Sequence, residues 1–223
     1  MRICFIRHGD PDYEKDCLTE LGHKQAESAA RRLLTEGIEK VFSSPMGRAR
    51  QTAQYFVDAA NISDLHILDF MKEIRYGLAD DLYNQDYSPW SGVDRLAEQG
   101  EDLQNPEWKK IPLFDKNTAT EDIEKVQQGC DIWLESLGYK REGLYYRNIN
   151  SQTNEHTFAL FSHGGSSTAF LSRILNIPFP LLCGSLHTSH TGISIIRFDK
   201  NPGKLSLPVI ELLNDSSHIK GIV

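Results

Sequence analysis

The chain has 223 residues, 39% hydrophobic and 25% charged, with a formal net charge of −7, a composition that suits one substantial globular domain over residues 1–223. The acidic balance excludes the broad basic field that nucleic acid or an anionic membrane attracts, so any anion site has to be a local basic pocket suited to a small substrate. No apolar run reaches the roughly 20 residues of a membrane helix.

The N-terminus reads directly as a strand, without the basic and then apolar pattern of a secretory leader. The cysteines Cys4, Cys17, Cys130 and Cys183 show no CxxC spacing. They read as reduced thiols of a cytoplasmic protein.

In chain order, Ile3–Ile6 is short, apolar and β-rich, the pattern of a strand buried on both faces. Thr19 is a good N-cap for a helix to about Thr35, with Ala26, Ala29, Ala30, Leu33 and Leu34 on one face. Val41–Ser43 reads as a second strand. Ser44-Pro45 reads as a capping serine with proline at the first helical position of a helix to about Ala60. Ile67–Phe70 reads as a third strand.

From about Gly77 to Glu121 the periodicity is poor and Asp, Tyr, Trp, Pro and Gly are frequent. This reads as an inserted cap with short helices. Ala119–Tyr139 resumes a helical pattern, and Asn148–Glu155 is a polar loop. Phe158–Phe161 reads as a core strand, followed by a helix over about 166–175. Strands follow at Gly192–Phe198 and Lys204–Leu213, and Ser216–Val223 reads as a loose tail. The alternation implies a three-layer α/β/α sandwich with a mostly parallel central sheet.

Two of these strands end alike. The first runs into Arg7-His8-Gly9 and the late one into Ser162-His163-Gly164-Gly165. Both histidines are thus expected at the carboxyl edge of one sheet, where open α/β sheets bind ligands. Arg7 points to an anion, most naturally a phosphate, and a neutral imidazole beside phosphate is a nucleophile. Arg48 falls in the first turn of its helix, against the dipole, which makes sense with an anion nearby. Gly164 opens a helix N-terminus and offers a backbone N–H to such an anion, while a protonated His163 would add positive charge. Glu73 is a carboxylic acid that would protonate a leaving oxygen, although spacing alone does not set it apart from other acids.

Arg7-His8-Gly9, Leu18-Thr19-x-x-Gly22-x-x-Gln25-Ala26, Ser43-Ser44-Pro45-x-x-Arg48-Ala49-x-x-Thr52-Ala53, Glu73-x-x-x-Gly77 and Ser162-His163-Gly164-Gly165 occur in this order. Together they resemble the histidine phosphatase, or phosphoglycerate mutase-like, superfamily over residues 2 to about 175. The resemblance implies phosphoryl transfer without a metal or other cofactor. His8 would be the phosphorylated nucleophile, and Arg7, Arg48 and His163 would clamp the phosphate. Glu73 would act as acid and then as base, and a cap at about 77–155 would shape the substrate side.

Asp10-Pro11-Asp12-Tyr13 stands where the mutases carry Glu-Ser or Glu-Thr and then an asparagine. The departure weakens a mutase-type phosphotransferase, and the intact His8, Arg48 and His163 argue against a catalytically weak phospho-ligand binder, so a phosphomonoesterase for a small phosphate ester is the first reading and these two are the alternatives. Asp10 and Asp80 are substitutes for Glu73 as the acid. His187 and His190 are open as a metal pair or as rim residues, and Lys72 and Arg75 as contacts to a second anion. Trp90, Trp108, Tyr83 and Tyr87 read either as the cap's own core or as a surface for an organic leaving group. No nucleic-acid or membrane partner is expected, and the oligomeric state is open, a homodimer being one alternative.

Overall fold

The computed structural model describes residues 1–222. Six strands form the central sheet: β1 (Arg2–Arg7), β2 (Lys40–Ser43), β3 (Leu65–Ile67), β4 (Thr157–Ser162), β5 (Ile193–Arg197) and β6 (Val209–Asp215). Their spatial order is β6-β5-β1-β4-β2-β3. The pairs β1–β4, β4–β2 and β2–β3 are parallel, while β5 and β6 add antiparallel strands at one side. The expected mostly parallel sheet between helical layers is present.

The strand pattern explains the layers. Side chains alternate across a sheet, so Ile3 and Phe5 of β1 face one layer and Cys4 and Ile6 the other. Cys4, Ile6, Val41, Ala159 and Phe161 pack with Ala30, Leu33, Ala53 and Phe56. These last four lie on α1 (Glu20–Leu33) and α2 (Gly47–Ala60). On the other face, Phe5, Phe42, Phe158 and Leu160 pack with Trp133 and Phe170. Those two belong to α4 (Thr118–Ser136) and α5 (Gly164–Leu175), and α3 (Pro89–Glu98) and α6 (Phe179–Ser185) lie against each other in the same layer. Burying a strand on both faces requires the near-continuous apolar runs seen in β1 and β4.

Several sequence expectations shift. Thr19 does cap α1, its side chain accepting the Gly22 N–H. Ser44-Pro45, however, does not start α2. That helix begins at Gly47, and Met46 is its N-cap without a side-chain bond. The third strand is Leu65–Ile67, two residues early, because Asp69–Met71 turns into a 3-10 helix and sends Phe70 against Gly129. A hairpin at Tyr139–Glu142 and Tyr145–Asn148 lies where no strands were expected. The tail is tied down. Ser28 Oγ donates to the His218 carbonyl at 2.6 Å, and His218 Nε2 meets Thr191 Oγ1 at 3.0 Å; Val223 lies outside the described residues.

The register matters most for the site. Arg7 pairs with Ser162 at the last rung between β1 and β4, so His8 and His163 are each the first residue beyond it. The ends of β1, β2 and β4 therefore bring Arg7-His8, Ser43-Ser44 and Ser162-His163 to one edge.

Candidate active site

His8 and His163 face each other with ring centroids 5.1 Å apart. His8 is 1% exposed. Its Nδ1 lies 2.7 Å from the Gly9 carbonyl oxygen, which only accepts, so Nδ1 carries the proton and Nε2 the lone pair. Arg48 Nε donates to that Nε2 at 3.3 Å. Burial, reinforced by Arg48 and Arg7, pushes the His8 pKa down to about 3, so the ring is neutral at physiological pH.

His163 is fully buried and is also held neutral, its pKa pushed well below the ordinary value by burial and then by His8, Arg48 and Arg7. It is therefore a neutral donor, not the extra cation that protonation would have supplied. Ser44 Oγ accepts the Met46 N–H and lies 2.8 Å from His163 Nε2. Assigned on this network, Ser44 donates to Nε2 and the ring proton sits on Nδ1. That Nδ1 is buried without a partner in the protein, as is Arg7 Nε. Buried donors rarely stay unpaired, and two of them at one strand edge mark a place built for an acceptor.

Arg7 Nη1 donates to the Thr188 carbonyl at 2.6 Å. Arg48 is 4% exposed, salt-bridged to Asp16 Oδ1 at 2.6 Å and set 5.3 Å from the Tyr13 ring centroid. Asp16 also accepts the Gly47 N–H at 2.6 Å, so one carboxylate both satisfies the α2 N-terminus and aims Arg48.

Glu73 lies across the N-terminus of α5. Its Oε1 accepts the N–H groups of Ile74 at 2.9 Å and Ser166 at 3.1 Å, and Oε2 that of Gly165 at 3.4 Å. Desolvation raises its pKa, against the opposing pull of these donors and Arg48. The helix terminus expected for the ligand is thus shared: Glu73 takes Gly165 and Ser166, while Gly164 lines the cavity. Glycine at 165 leaves room for both side chains, because a Cβ there would stand 2.7 Å from Glu73 Oε1 and 2.9 Å from Trp90 Cζ2 and would push them aside.

A cavity of about 700 Å³ opens above these groups, within the range of small-molecule sites. Arg7, Arg48, Glu73 and Gly164 line it together with Tyr13, Tyr76, Tyr83, Trp90, Leu186 and His187. Lys72 and Arg75 do not line it. Lys72 is exposed, and Arg75 is engaged by Asp122 at 2.8 and 2.9 Å. Asp80 is exposed and outside the lining, and Asp10 accepts from Thr19 Oγ1 at 2.7 Å.

His187 lines the cavity, and His190 stands nearer the paired strand ends. His190 Nδ1 faces Asp10 Oδ1 at 3.6 Å and its ring lies 5.8 Å from that of His8, and no metal-holding group of three or more His, Cys, Asp or Glu occurs among the described residues. Of the cap aromatics, Tyr83 and Trp90 reach the cavity, while Trp108 is core, edge-on to Phe114. Asp16, Ser44 and Tyr76 were not expected at the site. Asp16 arrives through a left-handed turn, φ 49°, that no spacing announces.

Fold and site together define an α/β protein with a cavity lined by Arg7 and Arg48 at the carboxyl edge of its sheet. The histidine phosphatase superfamily (branch 1) model matches residues 3–210, and the chain belongs to that superfamily. A probable phosphoglycerate mutase of Enterobacter sp. (strain 638) is 23% identical over 228 residues, covering 98% of this chain and 95% of that one. Among solved structures, phosphoserine phosphatase from Entamoeba histolytica, bound to phosphoserine, superposes with a TM-score of 0.65 at 21% identity, covering 98% of both chains. The alpha-ribazole phosphatase of Shigella flexneri gives 0.63 at 17% identity, with 97% of both covered. These likenesses bear out the expected family and fold. Among the described residues no helix is long and apolar enough to cross a membrane.

Proposed function

We propose that this protein is a metal-independent phosphomonoesterase that hydrolyses a small phosphorylated metabolite through a phosphohistidine on His8. The observation that carries the reading is the state of His8: neutral, with Nδ1–H fixed on Gly9 and Nε2 directed at Arg48 beside unpaired buried donors.

The ester phosphate displaces the Arg48–His8 contact and takes hydrogen bonds from Arg48, Arg7 Nε, His163 Nδ1 and the Gly164 N–H. These donors are held in place before charge builds on the phosphoryl oxygens, which is where such stabilisation acts. The Nε2 lone pair attacks phosphorus, and the bond to the ester oxygen breaks. Glu73, whose pKa is raised by burial, gives that oxygen its proton. The resulting carboxylate then takes a proton from water as the water attacks phosphohistidine, releasing phosphate and restoring both groups. The segment at about 77–155, which supplies Tyr83 and Trp90, acts as the cap. The free, largely buried thiols are in keeping with a cytoplasmic setting.

The test is phosphate release from p-nitrophenyl phosphate in chelator by wild type and His8→Ala, with phosphoryl label on the protein sought in a rapid quench and its stability compared in acid and in base. Turnover and a base-stable, acid-labile label lost in His8→Ala are expected. Full activity in His8→Ala would refute the nucleophile. A mutase would instead return the phosphoryl group to a second acceptor, and water competes poorly in that case.

A further inference from the structure

The wall that meets the leaving group is aromatic and holds no cation. Moving outward from Glu73, Trp90 is tight against Gly165. The Tyr76 ring stands 6.0 Å from Trp90 at 69°, and Tyr83 stands 5.5 Å from Tyr76 at 88°. These are the edge-to-face geometries aromatic rings prefer. Tyr76 Oη is held by Gln85 Nε2 at 2.6 Å, and Ile74 and Leu186 complete the surface.

Tyr83 occupies the left-handed region, φ 63°, which is costly for a bulky side chain. Its N–H donates to the Tyr76 carbonyl at 2.7 Å, so a tight turn fixes this ring at the cavity. Strain of this kind persists where the surroundings over-determine it, and here it places an aromatic ring 57% exposed.

The charge pattern points the same way. Among the described residues lining the cavity the arginines are Arg7 and Arg48, and the phosphomonoesterase reading assigns both to the phosphate. From Gly77 to Glu107 the chain carries eight carboxylates and one cation, Arg95, whose Nη2 is held by the Asp86 carbonyl at 2.6 Å. A substrate with a second anionic group would meet no further arginine and no lysine among the described residues of this lining.

We propose that the leaving group is a flat, apolar or aromatic alcohol without a carboxylate or second phosphate, recognised by Trp90, Tyr76 and Tyr83. The proposal rests on the phosphomonoesterase reading for its turnover test, and a binding test frees it from that dependence. 2-Phenylethyl phosphate and 3-phosphoglycerate are both alkyl monoesters, so comparing them reads recognition and not leaving-group reactivity.

The expected kcat/KM is at least about tenfold higher for 2-phenylethyl phosphate. Tyr83→Ala lowers that ratio severalfold, mainly through KM, and Tyr83→Arg moves it toward 3-phosphoglycerate. A preference for 3-phosphoglycerate at either pH 6 or pH 8 would overturn the proposal. Equal or better use of 3-phosphoglycerate by wild type, or a ratio unmoved in Tyr83→Ala, would overturn it too. If wild type hydrolyses neither ester, the phosphatase reading fails. Calorimetric binding of both esters to His8→Ala still decides the substrate class, tighter 2-phenylethyl phosphate supporting it and tighter 3-phosphoglycerate refuting it.

Discussion

Glu73→Gln isolates proton transfer from the rest of the site. The glutamine oxygen can keep the Ile74 and Ser166 N–H bonds that Glu73 Oε1 accepts at 2.9 and 3.1 Å, so the fold and phosphate cradle should survive. What disappears is the acid. A positioned general acid contributes about 10²–10⁴-fold, roughly 3–5 kcal/mol of barrier. An alkyl phosphate, whose alkoxide must be protonated to leave, should lose that full factor. p-Nitrophenyl phosphate should not, because its phenolate departs unaided. With that ester the first step stays fast while hydrolysis of phosphohistidine, now without a base, slows. A rapid-mixing experiment should then show a burst of one equivalent of p-nitrophenolate followed by slow turnover. The pH profile gives a second reading. The raised Glu73 pKa keeps the acid protonated to a higher pH than an ordinary glutamate, and its ionisation forms the alkaline limb for alkyl esters, which Glu73→Gln should abolish. Equal losses for both esters with no burst would refute the assignment and return the role to another group.

Stability should fall in acid. His8 is neutral when folded, with its pKa lowered from 6.5 to about 3. Protons therefore favour the unfolded chain below pH 6.5. This one group removes about 2–3 kcal/mol between pH 6.5 and 4.5; urea midpoints across that range check it, and an unchanged slope in His8→Gln would count against it. Asp16→Asn retains an acceptor for the Gly47 N–H but removes the charge 2.6 Å from Arg48. Asp16 is 40% exposed in its side chain, so screening limits the gain, and inorganic phosphate should bind about two- to fivefold tighter by calorimetry. Gly165→Ala forces its Cβ against Glu73 and Trp90, and should cost about 1–3 kcal/mol in denaturant midpoint and at least tenfold in activity.

The legible and illegible parts of the site divide along a physical line. His8 and His163 are readable because two buried strands end in the same motif, and parallel register carries each histidine one step past the same rung. Glu73 is different. Its position depends on the path after β3, and only the resemblance picked it out from other acids. Asp16 and Ser44 act through loop geometry. The serine next to a proline looks like a cap, yet its hydroxyl is taken up by His163 and the Met46 N–H. The Tyr139–Asn148 hairpin escaped notice because its exposed face is charged, with Arg147 on Glu142 at 2.7 Å, and its two inward tyrosines, Tyr139 and Tyr146, pack on Phe198 far along the chain.

One physical cause prepares both reacting groups. Desolvation is the largest influence on His8 and on Glu73. It disfavours charge in each, lowering the pKa of the imidazole and raising that of the carboxylic acid. The same burial thus favours a free lone pair on the one and a bound proton on the other, without an ion pair between them. The cost falls on stability. For Glu73 the folded pKa lies above the unfolded one, so its contribution erodes as pH rises from about 4.5. For His8 the folded pKa lies below, so its contribution erodes as pH falls from 6.5. The phosphate-free fold is therefore squeezed from both sides by the groups proposed to do the chemistry. Inorganic phosphate, by pairing the open donors of Arg7 and His163, should raise the melting temperature with the logarithm of its concentration once that exceeds Kd, and a melting temperature indifferent to phosphate would refute an anion site between these donors.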